Sequence, residues 1–526
     1  MRSALLIACL IGLIGPIGPI GPIPRASAAQ RAVDGIHVWT DRSVDFFSRD
    51  TILRSIIKKG MTHEQKAVAC YELVRSRVFH FSRPDDNDPM RVLNVYGYAL
   101  CGTIQHTLVW LAQGTFGPQG GRPAGLSSRK ISNPDTFKIA AGGWLSDSMH
   151  RLDGARPPAK LGHSWCQLFY DDRYHYLDAH AGFYVYTADG KHIASLEDIS
   201  GDPTLVTDPV KESDPFMPCD RGRPEFFYRC AGSHRGRPVE KTAHSMALRV
   251  RPGETLVFHF DKLPGGHFKR SRSWNGQWSP DYYKDGPHLR TQGPAVKSYR
   301  HYGNGEIVFT PDLSKAGFKE SLAASQNLAC HADDAKPGLH PKDPTKPASA
   351  TFAFKTPYPM VAGNVRAEMT LGPLPRGIIP VVRFIPPGRR AKPQLLGGPV
   401  DGVITGKLDM HAAYYPYSAQ VEVELPAGCS LSALRVHLIT QLNFSALPRP
   451  LPGKNTVFFE CANGSPDDSK LAIQWAWTEA GGEKKSHTKL VGARSFRYDL
   501  TLGKVITKPA DNPKYMRSLT IRIPDS

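Results

Sequence analysis

A chain of 526 residues with 40% hydrophobic content is long enough for roughly two to four cored domains, and too apolar for an intrinsically disordered protein. Lys and Arg outnumber Asp and Glu by 66 to 48, a formal charge of +18 that favours contact with anionic surfaces or polymers. The charge does not suggest sequence-specific nucleic-acid binding, because no helix-turn-helix pattern, zinc-finger spacing or RNA-binding signature accompanies it.

The chain opens on a targeting pattern. Arg2 starts a short basic segment, residues 4–14 are apolar, and Ala26-Ser27-Ala28 is a small-x-small cleavage signal. A Gly-Pro-Ile triplet repeats from Gly15 to Ile23, interrupting the apolar run and leaving it too short to span a bilayer. Residues 1–29 therefore read as a signal peptide, with an uncleaved anchor as the competing reading. The mature protein is then secreted or periplasmic, with no transmembrane segment. Cleavage removes Arg2 and Arg25, which lowers the formal charge by two, to +16.

Residues 30–210 mix helix and strand signals. Thr62-His63-Glu64-Gln65 reads as a capping box, and Ala67, Val68, Leu73, Val74 and Val78 follow at helical spacing. A second helix is predicted from Cys101, with Ile104, Leu108 and Leu111 on one face and its end at Gly114. Residues 114–161 are rich in Gly, Pro and Ser and read as a long loop region, the kind of segment that tends to be functional. Residues 165–170 and 174–177 read as the strands of a hairpin around Asp171-Asp172-Arg173, with the two-residue turn expected at Asp172-Arg173.

Polar, Pro/Gly-rich residues 211–240 read as a linker. A β-rich domain is expected over 241–332, with Arg251-Pro252-Gly253-Glu254 as one of its turns. A second linker is expected over 333–349, and a β-sandwich over 350–526. Of the nine cysteines, Cys9 leaves with the signal peptide. Cys219 with Cys230 and Cys429 with Cys461 are candidate disulfides, and the connectivity stays open. No C-x-x-C pair suggests structural zinc, and no metal or cofactor is expected. Asn443-Phe444-Ser445 is an N-glycosylation pattern, relevant where a host modifies exported proteins.

Chemistry concentrates between Cys101 and Asp178. A thiol at a helix N-terminus lies near unpaired amides and the positive end of the helix dipole, and both favour thiolate. Gly102 permits close backbone approach, and the Cys101 amide is placed to donate to an oxyanion. His163 is the base within reach in sequence order, and Asp178, at the end of the next strand, is the carboxylate to orient it. With the turn at Asp172-Arg173, Asp178 shares a face with His163 but is offset along the strands.

These residues resemble the transglutaminase-like superfamily, which shares the papain-like cysteine-protease arrangement. The matching stretches are Leu100-Cys101-Gly102-Thr103, Gly162-His163-Ser164-Trp165 and Tyr174-His175-Tyr176-Leu177-Asp178. They correspond to a cysteine opening a helix, a His-x-Trp strand, and an aromatic run ending in Leu-Asp, and they cover residues 50–190. The resemblance implies Cys101 as nucleophile, His163 as general base and acid, and Asp178 as orienting carboxylate. Tyr96 is the candidate for the family's upstream oxyanion aromatic, and Trp165 a substrate-contact candidate. The chain departs from the pattern in having Ala99 where Gly-x-Cys has glycine, and a long insertion where the family has a short strand after the cysteine helix.

Packing roles compete with each assignment. Cysteine is often a small buried hydrophobe, Tyr96 fits a core, and Asp178 at a strand end can cap a turn. Cys166, beside Trp165 on the opposite strand face from His163, reads as core. The reading taken forward is an α+β protein: a transglutaminase-like (papain-like) catalytic domain followed by two β-rich domains, the last a β-sandwich. Its expected reaction is attack of the Cys101 thiolate on a protein, peptide or cell-wall amide, giving a thioester that water or an amine resolves. One alternative is a catalytically idle envelope protein that binds anionic polymers or glycans through its β-rich domains. Another is a polysaccharide lyase built on Tyr174, His175 and Tyr176.

Overall fold

The structure, a computed structural model, describes residues 31–80, 87–115, 139–142, 163–179, 184–202, 204–213, 244–261, 263, 267–269, 299–330, 338–374, 377–388, 392–410, 415–462, 470–492, 495–503 and 515–524. The expected signal peptide, residues 116–138 and 143–162 of the expected loop region, and Cys219 and Cys230 lie outside them, while Ile139–Gly142, within that expected loop, forms a strand.

Among the described residues the α-helices lie before residue 208, and beyond them are two short 3-10 turns, Ala316–Ser321 and Phe444–Ala446. The capping box forms as its residues dictate: Gln65 N–H donates to Thr62 Oγ1 at 3.2 Å, and Thr62 N–H donates to Gln65 Oε1 at 2.9 Å. The helix His63–Arg77 follows and buries Ala67, Cys70, Leu73 and Val74. The helix Cys101–Thr115 starts where expected and runs one residue past Gly114. Ile104, Leu108 and Leu111 are buried, but so are Val109, Trp110 and Ala112, so apolar packing extends beyond the single face predicted. It packs against the helix His63–Arg77 and a three-stranded antiparallel sheet whose centre is the strand His163–Tyr170.

Strands in several sheets dominate the other described residues, and their pairing runs across the expected domain boundaries. In one ten-stranded sheet, Glu254–His259 lies between Gly305–Phe309 and Met516–Arg522, and Gly305–Phe309 pairs in turn with Ser430–Thr440. Strands expected in 241–332 and in 350–526 therefore share one hydrogen-bonded sheet. The expected linker over 333–349 holds the strand Leu339–Pro341 of that sheet and the start of Ala348–Lys355. Nor does the N-terminal region stand apart. Its first strand, Val33–Thr40, pairs with Gly453–Glu460 on one side and Leu248–Val250 on the other. A separate five-stranded sheet is centred on Ser418–Leu425.

Local chemistry shapes the joints. The turn before Glu254–His259 puts Gly253 at φ 78°, and a Cβ there would meet Pro311 Cα and Thr310 O at 2.7 Å, so glycine is required. Arg251 and Glu254 form a buried ion pair at 2.6 Å across that turn. Cys429 is a buried free thiol, so the expected pairing with Cys461 is not made. The glycosylation pattern is also occupied from within. Asn443 is fully buried and its Nδ2 donates to Leu93 O at 2.6 Å, which removes it as a sugar acceptor in the folded protein. Among the described residues no helix is long and apolar enough to cross a membrane.

Candidate active site

The approach to Cys101 is set by three short elements. A π-helical turn, Val92–Tyr96, ends at Gly97, whose φ of 66° reverses the chain. The strand Tyr98–Ala99 then pairs in parallel with Phe79–His80 and aims the chain at the helix. Leu100 O accepts from Thr103 N–H and Ile104 N–H, both at 3.0 Å, so Cys101 falls in the first helical turn. Helix geometry leaves the amides of Cys101 and Gly102 without a partner within the helix, and the positive end of its dipole is at the same place. The Cys101 side chain lies outside the described residues.

The hairpin carries His163 and Asp178, and its turn differs from the one expected. Asp171 and Asp172 occupy the loop with φ of 47° and 60°, the left-handed pair of a type I′ turn, which matches the twist of the flanking strands. Tyr170 faces Arg173 and Cys166 faces Leu177, so one step further Asp178 stands across from Trp165. The turn thus lies one residue earlier than expected, which halves the offset between Asp178 and His163. Residue 163 becomes the diagonal neighbour of residue 178, a spacing long side chains bridge. On its other side His163 pairs with Gly142. The side chains of His163 and Trp165 lie outside the described residues.

Asp178 is 1% exposed, and a carboxylate so buried must be held by donors. Gln105 Nε2 donates to its Oδ1 at 2.6 Å, and the Tyr176 hydroxyl donates to its Oδ2 at 3.1 Å. Gln105 is itself fully buried and takes the Cys166 thiol proton on its Oε1 at 3.3 Å. Cys166 is therefore core, as expected. Burial, and then the Asp178 carboxylate, drive its thiol well above the ordinary range, so it is inert as a nucleophile. From the sequence alone Gln105 has no role, and Tyr176 a role only in the lyase alternative. A signal existed for Gln105: it lies four residues after Cys101, one turn along the same helical face.

The remaining candidates are placed as follows. Tyr96 is buried, with its hydroxyl 3.2 Å from that of Tyr417 and its carbonyl accepting from Tyr302 at 3.0 Å. His175 is fully buried, stacked on Tyr170 at 3.6 Å, with Nδ1 2.7 Å from Ile193 O and Nε2 3.2 Å from Tyr170 O. Burial holds it below the usual histidine range. A separate cavity is lined by His37, Trp39, Asp45, Phe47 and Tyr358, and none of Cys101, His163 and Asp178 lines it. Among the described residues no group of three or more His, Cys, Asp or Glu side chains is arranged to hold a metal ion.

No protein-family model matches the chain, and no curated protein does. Among solved structures, a β-glycosidase from Bacteroides vulgatus is similar over 47% of this chain and 29% of its own length, at 11% identity and a TM-score of 0.14. The chain thus spans under a third of that protein's length, and a likeness this slight carries no argument about fold or function.

Proposed function

We propose that the chain is an exported cysteine acyl-transfer enzyme with a transglutaminase-like catalytic region. Cys101 is its nucleophile, His163 its base and acid, and Asp178 the carboxylate that orients the imidazole. The supporting observation is the buried Asp178, held by Gln105 of the cysteine helix and by Tyr176 of its own strand. A carboxylate costs several kcal/mol to bury, and one kept at the junction of a helix start and a His-bearing strand suits the orienting role.

In the proposed reaction the Cys101 thiolate attacks an amide carbonyl, forming a C–S bond and an oxyanion that faces the Cys101 and Gly102 amides at the helix start. The C–N bond then breaks, with His163 delivering its proton to the departing amine. Water or a second amine attacks the thioester, His163 takes up the incoming proton, and the C–S bond breaks to restore the thiolate. Asp178 stays ionised throughout and keeps the imidazole in the tautomer that accepts at the thiol. Substrates are protein, peptide or cell-wall amides. The lyase reading is weakened because His175 is enclosed and both its nitrogens face carbonyl oxygens.

The test combines activity and alkylation. Cys101→Ala should keep the fold and lose at least about a thousandfold in turnover across a panel of peptide and cell-wall amides. In the native chain, iodoacetamide at pH 6 should label Cys101 well ahead of Cys70, which burial pushes up to about 12 and leaves only about one part in a million ionised at that pH. An alanine variant retaining half its activity would sink the enzyme reading. An unreactive Cys101 would favour an idle envelope protein binding anionic polymers.

A further inference from the structure

Away from the catalytic residues, Arg449 senses the charge of Arg77, and neither makes an ion pair among the described residues. Arg77 ends the helix His63–Arg77, and its carbonyl accepts from Asn443 Nδ2 at 3.3 Å. Arg449 follows Asn443 by six residues, and its backbone N–H donates to Ser43 Oγ at 3.2 Å. The chain segments around residues 43–46, 77 and 443–449 therefore converge. Buried aromatic rings lie against both guanidiniums: Phe46 is 5.9 Å from Arg77, and Phe260 and Phe444 are 5.4 and 5.9 Å from Arg449.

What sets this pair apart is its unused donors. Nε of Arg77, and Nε and Nη2 of Arg449, are buried and have no hydrogen-bond partner among the described residues. On Arg449 these two nitrogens form the side-on fork that matches two oxygens of one oxyanion. A buried donor left unsatisfied costs on its own account, and two like charges close together add repulsion. Proteins keep such an arrangement where something else completes it.

We propose that Arg77 and Arg449 form a binding site for a small phosphate- or sulfate-like oxyanion. The fork of Arg449 supplies two donors and Nε of Arg77 a third. The aromatic rings support the guanidinium faces while leaving their edges to the ligand. Burial draws Arg449 down to about 10, with Arg77 adding to the fall, and a bound anion would oppose that. The site is distinct from the Cys101 chemistry and would recognise a free anion or the same group on a larger molecule.

The experiment titrates the full chain with inorganic phosphate and with sulfate by calorimetry, in chloride buffer of constant ionic strength, alongside thermal unfolding. Saturable binding is expected, with a rise in Tm that levels off rather than growing with salt, as the general effect of excluded salts does. A response to phosphate alone assigns a phosphoryl group, and a response to both assigns a tetrahedral oxyanion of either source. Arg449→Leu should weaken binding at least about tenfold. Without phosphate it should melt no lower than the native chain, because it removes unsatisfied donors. A native chain that responds equally to chloride, or an Arg449→Leu variant with unchanged phosphate affinity and a lower Tm, overturns the site and makes Arg449 a stacking residue. Should Arg449→Leu not fold, Arg77→Leu decides in its place: about tenfold weaker binding supports the site, and unchanged affinity refutes it.

Discussion

Gln105→Leu tests the joint between the cysteine helix and the hairpin. The native side chain is fully buried, and its Nε2 donates to Asp178 Oδ1 at 2.6 Å. A hydrogen bond to a charged group contributes about 1.5–3 kcal/mol net, and here its loss leaves a buried carboxylate one donor short. Leucine is close to glutamine in volume, so the cavity contribution is small. The Cys166 thiol also loses its acceptor on Gln105, although Leu177 O remains within 3.3 Å. The expected cost is about 2–3 kcal/mol in urea unfolding at pH 7. A double-mutant cycle with Asp178→Ala should return about 1.5 kcal/mol or more of coupling, because the second substitution removes the charge that the first left unsupported. Alkylation of Cys101 should also slow, since the helix start and the strand end are no longer tied. A loss below about 0.5 kcal/mol, or strictly additive substitutions, would show that Gln105 does not hold Asp178 and would refute the reasoning.

Other outcomes follow from single features. His259 and His437 both hydrogen-bond Glu306, at 2.6 and 2.7 Å, and hold its carboxyl well below the usual range. A depressed folded value means stability present above the unfolded value of about 4.3 and lost as pH falls through the folded one. Glu306→Gln should therefore destabilise at pH 7 and cost progressively less below about pH 4, as urea midpoints along a pH series will show. N-terminal sequencing of secreted material should begin at Ala29 or Gln30, and a terminus at Met1 would contradict export by cleavage. Binding to an anionic polymer should weaken steeply from low to physiological salt, while turnover of a small neutral amide changes little. Equal salt sensitivity would refute a division between charge and chemistry.

Much of the candidate site was legible in the residues themselves. Cys101 opens a helix, His163 opens a strand, and Asp178 follows the end of the next, in the order the motifs implied. Turn chemistry settled the remaining detail. Asp171 and Asp172 tolerate the left-handed region better than Arg173, so the loop takes them and the register shifts by one residue. That shift brings residue 178 to the diagonal of residue 163, and a pattern read along the chain did not show it.

Helix starts, apolar periodicity and the alternation of strands were determined by the sequence alone, because neighbours within a few residues decide them. The Thr62–Gln65 exchange and the strand Ser418–Leu425, buried at every second residue, are of this kind. Only the tertiary structure decided which strands share a sheet. Glu254–His259 reaches Met516–Arg522 and Val33–Thr40 reaches Gly453–Glu460 across hundreds of residues, and a Pro-rich segment between them looks like a domain linker whether or not the sheet continues beyond it. The same holds for buried polar groups. That Gln105 is an anchor, Asn443 a strut and Arg449 a cation with unsatisfied donors among the described residues follows from what packs against each, since burial and partners arise only once distant segments meet.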